Sequence, residues 1–218
     1  LATSLLFLSE AIVELTSALF AAIIWYYSYR AYRFLGYVNL LFLSASFLLF
    51  ATGLFIQAVY TFLVLRELVL NRALFFGLGY LVYSLFNMSA LLILAFAYAI
   101  SPSSQAGSGE GKPASAASAL APVSTIREFS VLRQLFGYLI GFFSTVLIFF
   151  VLAHMVSEYI ERRSEYTKTV MLGFGMMVIQ QVIRLIDLDS DPLYLASSIV
   201  QLAAFSVILY AVWRVSSK

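Results

Sequence analysis

The sequence has no cysteine and a single histidine, His154. The first absence excludes disulfides, thiolate metal sites, iron–sulfur clusters and cysteine nucleophiles. The second excludes a b-type haem held by two histidines of this chain. Charge is also scarce: 11% of the 218 residues are Asp, Glu, Lys or Arg, against about a quarter in an ordinary soluble domain. Only four prolines occur, and three of them (Pro102, Pro113, Pro122) fall in one short stretch.

What is present in place of charge is apolar. Hydrophobic residues make up 62% of the chain and the mean hydropathy is +0.95. A soluble protein of this size could not hide that surface, so the composition argues against a soluble enzyme and a nucleic-acid binder and predicts an all-α integral membrane protein. The net charge of +2 selects no partner. Ten arginines against three lysines, with only three asparagines, hint at a thermophile. The first residue, Leu1, is expected of a processed chain or an unusual start codon.

Six apolar runs predict six transmembrane helices: Leu5–Tyr29, Phe34–Leu65, Ala73–Ile100, the stretch between Arg133 and Glu158, that between Lys168 and Arg184, and that between Asp191 and Arg214. The second run, uncharged over 32 residues, would give a helix of roughly 48 Å. The fifth is short and must use Arg184 or its polar neighbours to span. Thr125-Ile-Arg-Glu128 fits a capping box that starts the fourth helix ahead of the membrane. Residues 101–125 are mostly Ser, Ala, Gly and Pro, and read as a flexible linker between residues 1–100 and 126–218.

These two parts look alike. Each has a first helix closing on basic residues, Arg30 and Arg33 or Arg162 and Arg163, and the third helices align without gaps, placing Asn87 over Gln201. The predicted fold is therefore a six-helix bundle of two three-helix repeats. An odd number of spans in each implies that the repeats are inverted, an arrangement recurrent in transporters. Both termini then share one side. Seven basic residues lie there and six on the other, or five once Lys112 in the linker is discounted, which places the termini in the cytoplasm of a cell-membrane protein by a narrow margin. Tyr29-Arg-Ala-Tyr-Arg33, followed at once by a long leucine-rich helix, resembles small archaeal three-helix membrane modules over about 70 residues per half. The second half departs from it at Tyr159-Ile-Glu-Arg-Arg163. That resemblance implies a fold unit and no activity.

Candidate polar sites are few. Glu10 and Glu14 share a helix face; they are either wet, with the helix beginning among headgroups, or intramembrane groups for protons or cations. Asn87 and Gln201 are either hydrogen-bonding contacts between helices or the lining of a polar path. Gln180, Gln181 and Arg184 lie close together; Arg184 either snorkels to the interface or pairs with Glu14 across the bundle. Gly137 and Gly141 form a GxxxG pattern suited to close helix packing. Asp187-Leu-Asp-Ser-Asp191 opens like a calcium loop, but Pro192 and Ser198 stand where the loop needs Gly and Glu, so it reads as a turn. Tyr and Trp around Arg30, and Trp213 before Arg214, read as interfacial belts. His154 reads as interfacial or packed. No catalytic, cofactor or metal constellation emerges.

The expectation is a non-catalytic subunit or scaffold of a larger membrane complex, whose partners are the bilayer and other membrane subunits or itself. The alternatives are a small-solute or ion transporter or channel with a site between inverted repeats, and a membrane sensor acting through a partner.

Overall fold

A computed structural model describes residues 2–65, 72–100, 126–186 and 191–216. They form six α-helices: α1 (Ala2–Leu35), α2 (Val38–Leu65), α3 (Arg72–Ile100), α4 (Ile126–Arg162), α5 (Glu165–Ile186) and α6 (Asp191–Ser216). No strand occurs among the described residues. Five helices are long and apolar enough to cross a membrane; α5 is the exception, because Glu165, Lys168, the paired glutamines and Arg184 dilute its apolar character. Five of the six expected spans thus meet that condition. The candidate linker 101–125 and most of the Asp187 turn lie outside the described residues.

The second apolar run does not form one 32-residue helix. Gly36 takes φ +70°, a left-handed conformation that costs glycine nothing, and its N–H bonds the Tyr32 carbonyl at 2.8 Å. That bond stops α1, and α2 restarts two residues later. α4 ends in the same way. Arg163, at φ 47°, donates its N–H to the Tyr159 carbonyl at 2.8 Å, and α5 again starts two residues on.

The helices close into a ring in which each touches its sequence neighbours and α6 touches α1. Phe47 and Phe50 of α2 pack against Phe205 of α6 across the middle, with ring centroids 5.6–5.8 Å apart. Leu91 and Leu94, Ile148 and Met155, and Phe174 and Met177 continue this core through α3, α4 and α5.

The helix directions follow from which residues meet. Gly79 of α3 lies on Tyr60 of α2 and Gly53 on Phe86, so α2 and α3 are antiparallel. Arg184 meets Ser197 while Gly173 meets Ile208, so α5 and α6 are antiparallel. Gly141 lies against Leu185, so α4 and α5 are antiparallel too. Along α1 and α6, however, the numbers rise together: Glu14 meets Tyr194, and Phe20 and Tyr27 face a groove shared with Ser206 and Trp213. α1 and α6 are parallel, and so are α3 and α4, whose late residues Tyr98 and His154 meet with tilted rings, centroids 5.5 Å apart. The expected inversion is therefore not how the halves pack. They pack side by side in one direction, and Arg30, Arg33 and Arg163 all come to one end, here the arginine end.

Glycine sets the closest approaches. A Cβ at Gly173 would run into Ile208 Cγ1 and sit 3.2 Å from the Ala204 carbonyl oxygen, whereas nothing lies within 4 Å of one at Gly175. Gly173→Val should therefore destabilise the bundle by about 1–3 kcal/mol through overpacking. Gly175→Ala should be neutral or stabilising by up to about 1 kcal/mol through helix propensity. Reversible unfolding in detergent measures both.

Candidate functional site

A polar cluster lies toward the end of the bundle opposite the arginine end, where α1, α2, α3, α5 and α6 converge. Its centre is Arg184, in the last turn of α5 and only 6% exposed. It does not snorkel. Each guanidinium nitrogen has a partner: Nε donates to Ser197 Oγ at 3.2 Å, Nη1 to the Tyr83 hydroxyl at 2.8 Å and Nη2 to Gln201 Oε1 at 3.2 Å. With its amide oxygen turned to the guanidinium, Gln180 adds acceptors at 3.0 Å from Nε and 3.3 Å from Nη1. The rings of Tyr83 and Tyr194 both lie with their centroids 5.1 Å from the guanidinium carbon. Cation–π contacts of this kind reach about 2 kcal/mol or more when desolvated.

Tyr194 carries the cluster on to α1 and α2. Its hydroxyl donates to Glu14 Oε1 at 3.0 Å and accepts from Gln57 Nε2 at 3.2 Å. Thr61 Oγ1 lies 3.3 Å from Glu14 Oε2 and 3.1 Å from the Gln57 carbonyl oxygen. Glu14 is 1% exposed and Glu10, a turn earlier, is buried as well, so neither is the wet headgroup residue that the sequence also allowed. The pairing of Glu14 with Arg184 takes an indirect form: one tyrosine stacks on the cation and hydrogen-bonds the carboxylate.

Local sequence explains the convergence. Ser197 and Ser198 return their hydroxyls to the Tyr194 carbonyl, at 2.7 and 3.1 Å, so one turn of α6 organises its own polar face. Gln201, one turn after Ser197, falls on the same face. Tyr83 stands one turn before Asn87 on α3; Asn87 is buried, but the hydrogen bonds described around Arg184 run to Tyr83. Asn87 and Gln201 match in sequence and are both buried, and it is Gln201 that bonds Arg184. Tyr83, Tyr194, Gln57 and Thr61 were not singled out by sequence, since in an apolar helix such residues look like filler. The available signal was their spacing, with Tyr83 four residues before Asn87 and Tyr194 seven before Gln201.

The other candidates sit elsewhere. Gly141 touches Leu185 within the chain, its Cβ position 3.2 Å from Leu185 Cδ2, and the surroundings of Gly137 lie outside the described residues. His154 is a packing residue, stacked on Phe150 and in tilted contact with Tyr98. Among the described residues no three His, Asp or Glu side chains come together as metal ligands. A groove of about 490 Å³ lies between α1 and α6, lined mainly by aromatic and aliphatic side chains such as Phe20, Tyr27 and Trp213, away from Arg184.

Comparison with protein families, characterised proteins and solved structures gives no match for the chain.

Because the acceptors around Arg184 are buried, Arg184→Met should destabilise the bundle by about 3–5 kcal/mol, the range for removing one partner from a buried charged cluster. Tyr83→Phe removes the acceptor for Nη1 together with the longer contact to the Gln201 amide, and should cost about 1.5–3 kcal/mol, mostly from the bond to the charged group. Chemical unfolding in detergent micelles would rank them; equal, negligible losses would contradict this assignment.

Proposed function

We propose that the protein is a non-catalytic component of an integral membrane assembly, a subunit or scaffold that acts by packing against other membrane proteins. The observation that carries this reading is how the polar groups are spent. Arg184, Tyr83, Tyr194, Ser197, Gln201 and Glu14 bind one another, and the groove between α1 and α6 lies apart from them. The outward faces offer bulky apolar side chains. Phe142, Phe143, Phe149 and Phe150 of α4 are each about half exposed, as a surface facing lipid or a membrane partner would be. Five helices of spanning length and apolarity support a bilayer as the surroundings. Exposed Tyr26, Tyr29, Tyr37 and Trp213 gather at the arginine end, as an aromatic belt at one membrane face would.

Duplication of a three-helix unit fits the same reading. Gly36 and Arg163 close α1 and α4 with the same bond, and the same shift in numbering superposes Gln57 on Arg184. Each of these reaches a tyrosine on the last helix of the other half, Gln57 to Tyr194 and Arg184 to Tyr83.

A second reading, proton or cation transport, rests on one observation: Gln57 Oε1 is buried without a hydrogen-bond partner beside the Glu14–Tyr194 contact, where a water or cation could be held.

Mild-detergent purification from native membranes should bring down a second membrane protein in stoichiometric amount. A preparation of this chain alone that carries protons or cations in proteoliposomes, with the flux lost in Glu14→Gln, would overturn the scaffold reading in favour of transport.

A further inference from the structure

We propose that in the bilayer the two halves packed together in this fold belong to different copies of the chain, inserted in opposite orientations. The inference rests on the reading above that the chain spans a membrane. α3 ends at Ile100 at the arginine end, beside the last turns of α4, while α4 begins at Ile126 at the other end. The chain between them, residues 101–125, therefore has to connect opposite ends of the bundle. It contains no apolar run, and it carries Gln105, Glu110, Lys112 and three prolines. Backbone of that kind cannot cross hydrocarbon, where its N–H and C=O groups would lack partners. Each of its two charges would add about 2.5–3.5 kcal/mol at the centre of the bilayer.

If residues 101–125 stay on one side of the membrane, and α5, which runs antiparallel between α4 and α6, crosses with them, three spans in each half force the halves of one chain to point in opposite directions. The parallel contacts, Glu14 with Tyr194, Arg184 with Tyr83 and Tyr98 with His154, then cannot form within that chain. They form without distortion between the first half of one copy and the second half of a copy inserted upside down. The reverse pairing completes itself at the same time, giving a closed twofold dimer with two rings of six helices. Without such a partner, Arg184 would lose the Tyr83 hydroxyl and Glu14 the Tyr194 hydroxyl.

The basic residues permit insertion both ways. Arg184 is buried inside the bundle and counts for neither side. Lys112, discounted above for its place in the linker, lies within about 15 residues of the span that ends at Ala99 and is restored to the count. For a single chain the tally is then seven (Arg66, Arg72, Arg162, Arg163, Lys168, Arg214, Lys218) against five (Arg30, Arg33, Lys112, Arg127, Arg133). That is a weak bias for a rule that works by strong asymmetry.

The chain has no cysteine, so introduced thiols report without background. Two differently tagged chains, one carrying only Tyr98→Cys and the other only His154→Cys, are co-expressed and treated in membranes with a short bifunctional thiol reagent. A covalent dimer bearing both tags is expected. Its absence would overturn the proposal, as would a Tyr98→Cys/His154→Cys double variant that links only within one chain. A second measurement substitutes none of the described residues: Ser217→Cys is labelled with an impermeant thiol reagent in right-side-out and inverted vesicles. About half of the chains should label from each side, and labelling from one side alone would overturn the proposal. Alkaline carbonate extraction separates the two levels, since release of the chain from the membrane pellet would remove the membrane-spanning reading itself.

Discussion

A guanidinium in an apolar interior has to be surrounded by acceptors, and five of the six helices contribute to meeting that demand at Arg184 or through Tyr194 beyond it. The neutral acceptors, Ser197, Gln201 and Tyr83, come from α3 and α6; the stacking rings come from the same two helices; the balancing carboxylate, Glu14, comes from α1. Helix packing between apolar surfaces in lipid is otherwise undirected, because lipid tails are as apolar as leucine. The charged cluster gives this bundle a register: sliding α5 by one turn along α3 or α6 would strand the cation.

The second constraint is direction. Tight antiparallel pairs are set locally, by a left-handed residue after α1 and α4 and by glycines where α2, α3, α5 and α6 come closest. The contact between halves is set by the tyrosine bridges, and those require α1 and α6 to run together. Combined with a polar segment that cannot cross lipid, this single geometric fact turns a question about one chain into a question about two. The scaffold reading and the two-copy reading share a physical basis, in which the polar groups of the interior serve assembly.

The sequence made the helices legible because apolar runs bounded by charge leave little freedom. The fourth helix, read from its capping box through the basic pair, runs from Ile126 to Arg162. The break at Gly36 was hidden, since an uncharged run shows no boundary and a glycine inside it is not by itself a stop. Arg184 was legible as a candidate, but its inward turn depends on Tyr83 and Tyr194 waiting on other helices, which no local pattern records. Glu14 was legible for the same reason that any carboxylate is conspicuous in such a chain, and its partners were not. The amide match between Asn87 and Gln201 marked the right face of α6, while on α3 the hydroxyl that reaches Arg184 stands a turn earlier. Span counting led to inverted halves, whereas in the fold they pack in one direction, because the tyrosine contacts that bring α1 and α6 together in parallel leave no mark in a count of spans.

The claim most open to direct test is that one continuous polar cluster joins the halves through Tyr194. A double-mutant cycle of Glu14→Gln and Tyr194→Phe, read by equilibrium unfolding in detergent, isolates that link. A coupling energy of about 0.5–3 kcal/mol is expected for residues in direct contact within one network. Additive effects, with coupling near zero, would contradict the cluster and the account of the fold built on it.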